Sequence, residues 1–323
     1  MATRNRIIYQ SESVQIDNTT AIGVQSCSYG LDVTREDVLQ FGDLGAVDRI
    51  ILEAPVANME VSMYVNGLRG NKLNNIIEKG VAGSGIDCIV SLGAEGTDYD
   101  SAAAVSSVGI VSGSLTSFSA EATVGAIPTL TMGFEGTDLS YAPTAAPAGT
   151  PATNINVVTQ SGVIVNMAQV IGSFTGHYIH PQSCSVSFDL GVEGLQELSY
   201  ETSNGLASVG NKFQYARVPS YPASASMELE AFAIDAGMTM TLAALQQKAS
   251  EGNAGNANLG GKINVGVDMG GTTFTLVNST LDSVAFSSSI GDTAATCNAT
   301  FSVSIGGPGS SSRLEISGVT GPA

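Results

Sequence analysis

Five short blocks occur twice in this 323-residue chain, in the same order in each half, and that duplication constrains its fold more than any single residue. QSCS stands at 25–28 and again at 182–185, each copy running into a short strand-like stretch that ends in an aspartate, Asp32 and Asp189. RIIYQS (6–11) is echoed by NVVTQS (156–161), MEVSMYV (59–65) by MELEAFA (227–233), and IDCIVSLG (86–93) by INVGVDMG (263–270). The last pair is SLTSFSAEATVGA (114–126) with TLDSVAFSSSIGD (280–292). Paired blocks lie 150 to 177 residues apart, and the spacing drifts as loops gain and lose residues. Solenoid repeats recur every 20–50 residues or so, so a period this long marks each copy as a whole domain. The expected domains are 1–141 and 155–323, joined by a Pro- and Ala-rich spacer at 142–154. Proline at that density favours an extended, semi-rigid connection.

The side-chain inventory suits two ordinary cores and an unusual surface. The chain is 43% hydrophobic but only 13% charged and 6% aromatic, with 38 Gly and no Trp. Its surface must therefore be built mostly from Ser, Thr, Asn and Gly, which suits packing against copies of itself. The net charge of −17 divides into −10 over residues 1–141 and −7 over 155–323. No Lys/Arg cluster is available to neutralise phosphates, which disfavours tight nucleic-acid binding, although an acidic wall lets a polyanion slide past without sticking. Cys27 and Cys184 occupy equivalent repeat positions, one in each half, which disfavours a bond between them; with Cys88 and Cys297 they read as buried thiols of a protein folding in a reducing cytoplasm. The opening MATRNRIIYQ lacks an apolar signal core and no run of about 18 apolar residues occurs, so neither secretion nor a membrane helix is expected.

Alternation predicts strands near 7–15, 24–31, 49–52, 59–65, 86–92, 114–124 and 129–134 in the first half, and near 225–234 in the second. Helices are expected over 68–79 (LRGNKLNNIIEK), with Leu73, Ile76 and Ile77 on one face and a stop at Gly80, and over 238–250 (MTMTLAALQQKAS). Both sit between the same two repeated strands. The fold class is mainly β with some α: two similar β-barrel or sandwich domains, each with one flanking helix. The segments 6–16 and 313–319 read as extended arms able to add to a neighbouring sheet.

Chemical motifs are few. VGVDMGGTTFTL (265–276) resembles the phosphate-binding hairpin of sugar kinases and actin-like ATPases, but only about fifty residues follow it, and its partner segment SLGAEGTDYD is a strand with a Gly-rich turn. A turn is the better reading. His177 and His180 lie on a strand-like stretch without acidic or cysteine ligands at metal spacing, and Asp98 with Asp100 suits a solvated turn. No catalytic, cofactor-binding or metal-binding residue is assigned, and no enzymatic activity is expected.

Residues 26–65, SCSYGLDVTREDVLQFGDLGAVDRIILEAPVANMEVSMYV, with GSLTSFSAEATVGAIPTLTMGFEG at 113–136, resemble the major tail tube proteins of tailed bacteriophages. In that pattern a strand leads through an aspartate and a charged turn to two wall strands, followed by a helix, further strands and an Ala/Val/Thr-rich hairpin. The resemblance covers nearly all of the first half and, through the repeat, a diverged second half. It implies a structural virion protein forming stacked rings around a conduit for DNA, assembled in the host cytoplasm. Two tube domains per chain imply trimers with pseudo-sixfold symmetry. The implied partners are other copies of the chain, with tail sheath, tape-measure and tail-terminator proteins, and DNA that passes without specific binding. A baseplate hub is the alternative within the same class, an actin-like nucleotide-binding enzyme the alternative outside it. Glu60, Glu228 and Glu230 on the repeated MEVSMYV and MELEAFA strands are the candidates for an acidic lumen; an outer or inter-subunit face fits them equally, because strand phase alone does not orient a sheet. Segments 31–49 and 190–215, and the terminal arms, are the candidates for contacts between rings.

Overall fold

The computed structural model describes residues 12–51, 54–68, 72–92, 106–141, 158, 162–166, 180–195, 216–233, 263–288, 295–305 and 314–317. The first half contains β1 (Glu12–Ile16), β2 (Thr19–Thr20), β3 (Val24–Asp32), β4 (Arg35–Leu39), β5 (Ala46–Ile51), β6 (Val56–Tyr64), α1 (Lys72–Val81), β7 (Ile86–Leu92), β8 (Ser106–Thr123), β9 (Thr129–Gly136) and β10 (Ser140–Tyr141). The second half contains β11 (Val163–Asn166), β12 (His180–Asp189), β13 (Val192–Leu195), β14 (Ala216–Pro219), β15 (Ala223–Ala233), β16 (Ile263–Met269), β17 (Thr272–Ser287), β18 (Ala295–Ile305) and β19 (Leu314–Ser317). The spacer 142–154, the second expected helix at 238–250, His177, Asp98 and Asp100 lie outside the described residues.

The duplication extends to individual hydrogen-bond registers. In the first half β3 pairs β6, β6 pairs β9 and β9 pairs β8; in the second β12 pairs β15, β15 pairs β18 and β18 pairs β17. Bulges recur at matching places: between Val24 and Ser26 and between Pro181 and Ser183, between Leu115 and Ser117 and between Leu281 and Ser283, between Ile86 and Cys88 and between Ile263 and Val265. Ser112 and Asn278, at φ 53 and 56, are equivalent left-handed residues within the two longest strands. The Ser112 amide donates to Asp87 Oδ1 at 2.7 Å and the Asn278 amide to Asn264 Oδ1 at 2.8 Å, again from matched positions. Such bulges bend a strand. Here they let β8 and β17 each serve two sheet segments: β8 runs from β7 and β10 to β9, and β17 from β16 and β19 to β18.

The two halves meet as neighbouring strands of one sheet. β8 pairs antiparallel with β12 over Ser117–Asp189 to Thr123–Ser183. Eight strands thereby form an uninterrupted antiparallel run, β3-β6-β9-β8-β12-β15-β18-β17, within a sheet of 15. The chain is mainly β, as expected; of the expected barrel or sandwich in each half, no closed barrel is found, because no described strand set closes on itself: β3 and the 280–287 part of β17 stand at opposite ends of the run and have no strand on their outer sides among the described residues.

One face of this run is apolar and buried. Met59, Val61 and Met63 of β6, Leu130, Met132 and Phe134 of β9, Val186 and Phe188 of β12, Met227 and Leu229 of β15 and Phe301 and Val303 of β18 all join one core. At about 1.5–3 kcal/mol for each large side chain removed from water, this face supplies the main driving force for the sheet. The core also takes Val14, Ile16, Cys88 and Val90 of β1 and β7, and Val265, Val267 and Phe274 of the β16–β17 segment. Phe118 sits at the centre, stacked on Phe188 with ring centroids 5.2 Å apart and tilted against Phe274 at 5.9 Å.

Helix α1 buries Leu73, Ile76 and Ile77, as its spacing predicts, but it runs past Gly80 to Val81. Its stop is Gly83, at φ +70, where the Ser84 amide donates to the Lys79 carbonyl and the Gly83 amide to the Gly80 carbonyl, the two bonds of a Schellman cap. Gly80 has another purpose. A Cβ there would lie 2.7 and 2.8 Å from carbons of Leu115 on β8, so its absence lets the helix approach the sheet. Gly→Ala in a helix ordinarily gains about 1 kcal/mol, whereas overpacking a core costs about 1–3 kcal/mol. Since Leu115 is buried and cannot swing away, Gly80→Ala is expected to lower stability by about 1 kcal/mol or more in denaturant unfolding, the reverse of the propensity trend.

Candidate functional site

Opposed residues in neighbouring strands point to the same side of a sheet, so the registers identify every residue on the second face of the eight-strand run. One row reads Ser26, Ser62, Thr131, Ser119, Ser187, Ser226, Ser302 and Thr280, a hydroxyl from each strand in turn. Neighbouring hydroxyls bond along it: Thr131 Oγ1 donates to Ser62 Oγ at 3.4 Å, and Ser187 Oγ and Ser226 Oγ are 3.1 Å apart.

Beside this row lie the carboxylates. Glu60 is on β6, and the sequence Glu121–Ser185–Glu228–Thr300 crosses four strands, with Ser183–Glu230–Asn298 beside it. The three glutamates singled out from sequence therefore share one face of one sheet. Ser183 Oγ donates to Glu230 Oε2 at 3.2 Å, and a shallow depression is lined by Glu121, Glu228, Glu230, Ser185 and Thr300. Sequence reasoning missed Glu121 and Glu135, although the alternation in SFSAEAT and TMGFEG marks both as off the apolar face. Among the described residues, β3, β6, β8, β9, β12, β15, β17 and β18 carry no Lys or Arg. Among the described residues, Arg217 arrives at this face from β14 and bonds Glu135.

At the two ends of the run the apolar face is uncovered. Tyr29 and Leu31 on β3 are 43% and 41% exposed and Phe286 on β17 is 59% exposed, whereas Val186 and Phe188, the β12 equivalents of Tyr29 and Leu31, are 0% and 2% exposed. The difference is the outer strand: β12 has β8 on that side, and among the described residues β3 has no strand there.

The two hairpins that follow these strands differ in the same way. β13 and β14 pair with each other and lie against the first half, where Arg217 meets Glu135, the Tyr221 hydroxyl donates to the Val81 carbonyl, and Pro219 approaches Gly83. β4 and β5 also pair only with each other, and both strands are exposed on both faces, with Phe41 and Leu44 fully in solvent at the tip. Arg49, at the position equivalent to Arg217, pairs with Asp37 inside its own hairpin. Segment 31–49, expected to make contacts, thus emerges as a projecting arm; of its counterpart 190–215, only residues 190–195 are described.

VGVDMGGTTFTL is the β16–β17 hairpin, with Gly270 and Gly271 at positive φ as the two-residue turn and Asp268 Oδ1 accepting from the Gly271 amide at 2.7 Å. Among the described residues there is no group of three or more His, Cys, Asp or Glu able to hold a metal ion, and no helix is long and apolar enough to cross a membrane.

All four cysteines are free thiols. Burial, with a smaller push from the Glu12 carboxylate, raises Cys27 to about 12; burial alone raises Cys184 to about 11, and burial with a smaller push from Cys27 lifts Cys88 as well. A raised folded value favours the neutral thiol, so its contribution to stability is complete below the ordinary value of 9.0 and is lost as pH rises through 11 to 12. Thiol-specific reagents are expected to label the native protein at pH 8 far more slowly than the denatured chain, with the native rate climbing above pH 9; equal rates at pH 8 would contradict this burial.

No protein-family model and no curated protein matches this chain.

Proposed function

We propose that the chain is a structural virion protein that polymerises through its sheet edges into stacked rings, three copies per ring with pseudo-sixfold symmetry, forming the tail tube through which phage DNA leaves. The observation that carries this reading is the internal junction. β8 of the first half joins β12 of the second, and the strands equivalent to those two, β17 and β3, are, among the described residues, left open at the far ends of the run. A contact between two different surfaces, repeated head to tail, closes into a ring when its rotation allows and otherwise runs on as a helix. Closure would remove both open edges and cover Tyr29, Leu31 and Phe286, as the chain already does for Val186 and Phe188.

The polar face supports the conduit. Affinity for DNA comes mainly from Lys and Arg that release counterions from phosphate, and the described strands of this run offer hydroxyls and carboxylates instead. In this reading Glu60, Glu228 and Glu230, with Glu121, line the lumen and keep a passing polyanion from adhering. Sheath, tape-measure and terminator proteins are the partners such a tube would meet at its outside, its bore and its end.

Purified protein is expected to show particles of three times 32.8 kDa by light scattering, and rings or tubes of uniform bore by electron microscopy. Six chains per ring would refute the trimer, and a monomer persisting at high concentration would refute the assembly. Replacing Glu60, Glu228 and Glu230 together by Lys is expected to preserve the fold, since surface substitutions usually stay within about 0.5 kcal/mol. The same tubes should then retain DNA in a salt-dependent way, where wild-type tubes do not. Absence of retention would move these residues off the lumen.

A further inference from the structure

We propose that the contact between copies repeats the internal junction residue for residue: β17 of one copy pairs antiparallel with β3 of the next, Tyr29 opposite Phe286, while the β4–β5 hairpin of that next copy lies on β18 and Arg49 bonds Asp282. The proposal rests on the assembly reading above and supplies its residues.

The register follows from the duplication. At the internal junction Phe118 faces Phe188, Ala120 faces Val186 and Ala122 faces Cys184. The bulges make Leu31, Tyr29 and Cys27 the counterparts of Phe188, Val186 and Cys184, and Val284, Phe286 and Ser288 the counterparts of Phe118, Ala120 and Ala122. Carried to the open edges, the internal register places Leu31 opposite Val284, Tyr29 opposite Phe286 and Cys27 opposite Ser288. The side-chain sizes agree. Inside the chain the bulky aromatic pair is Phe118 with Phe188, flanked by the small Ala120 with Val186. Between copies the aromatic pair is Tyr29 with Phe286, flanked by the smaller Leu31 with Val284, so bulk moves along the seam without being lost. On the polar side Ser28 meets Ser287 and Asp32 meets Ser283, with no like charges opposed.

The hairpins provide a second, independent observation. Arg217 on β14 bonds Glu135 on β9 of the adjoining half. Arg49 is the counterpart of Arg217, and Ser302 on β18 is the counterpart of Glu135. The second half restores a carboxylate there from the bulge: Thr280 Oγ1 lies 3.3 Å from both the Ser302 carbonyl and Asp282 Oδ1. In the single copy Arg49 has no adjoining half to lie on and turns to Asp37. That aspartate's counterpart in the docked hairpin is Gly194, so Arg217 has no such internal partner.

The test is site-directed crosslinking. Tyr29 and Phe286 are exposed in the single copy, so a chain carrying both Tyr29→Cys and Phe286→Cys should fold. Directly opposed strand residues have Cα atoms about 4.5–5.5 Å apart, inside disulfide range. Mild oxidation is expected to give covalent dimers and trimers, and neither single variant should do so. Leu31→Cys with Phe286→Cys, one diagonal step out of register, should crosslink poorly. Charge reversal is the second arm: Arg49→Glu should raise the concentration for half-assembly about tenfold, and adding Asp282→Arg should restore it. Rings that form without the Tyr29–Phe286 crosslink would overturn this interface and leave the tube reading standing. Crosslinked ladders without closed rings would uphold the interface and overturn the ring. Crosslinking by Tyr29→Cys alone would show β3 meeting β3 and overturn the register.

Discussion

A strand at the end of a sheet exposes a row of unpaired backbone N–H and C=O groups, and the architecture of this protein turns on where those rows fall. The duplication creates four candidate edges: β3 and β8 in the first half, β12 and β17 in the second. β8 and β12 satisfy each other, and that pairing buries Phe118 and Phe188 in a stack at the centre of the molecule. The exposed aromatic and aliphatic side chains of β3 and β17, the docked and undocked hairpins, and the continuity of the polar face all follow from which pair met inside the chain.

Much of this was legible in the sequence because repeats preserve registers. The MEVSMYV and MELEAFA blocks align residue for residue in the structure, as do QSCS with QSCS and the two hairpin blocks, down to their bulges. Period-two alternation located β3, β6, β7, β8 and β9. It did not locate β4: in REDVL both faces are exposed, so no apolar period marks the strand. Nor did alternation reveal closure, since it tells which face of a strand is buried and nothing of which edge is paired. The end of α1 was misplaced because two glycines lie close together. Gly80 is dictated by contact with Leu115 and Gly83 by its left-handed φ, and only a structure separates these reasons. Glu60 falls on β6 and Glu228 and Glu230 on β15, strands that alternation marks, and their common face emerged only through the strands between them.

The polar face combines two kinds of group that respond differently to solution conditions. Carboxylates such as Glu121 and Glu228 repel a polyanion through a field screened within about 10 Å at 0.1 M salt and about 3 Å at 1 M. Hydroxyls such as Ser187 and Ser226 have no net charge to screen, and they hold water by donating and accepting at any ionic strength. Their short side chains also lose little rotamer freedom on ordering. A face built from both stays hydrated and non-adhesive over a wider range of salt than either alone would allow.

Joining the two halves through β8 and β12 within one chain has a consequence of parity. Any closed assembly that continues this sheet must contain an even number of halves, whatever its diameter, because none can enter unaccompanied. Junctions then alternate around such an assembly between one that forms as the chain folds, independent of concentration, and one that forms only when chains meet. The two classes have separate sequences, so each can change strength without the other. In such an assembly the joints within a chain would be permanent, and growth would depend on the joints between chains.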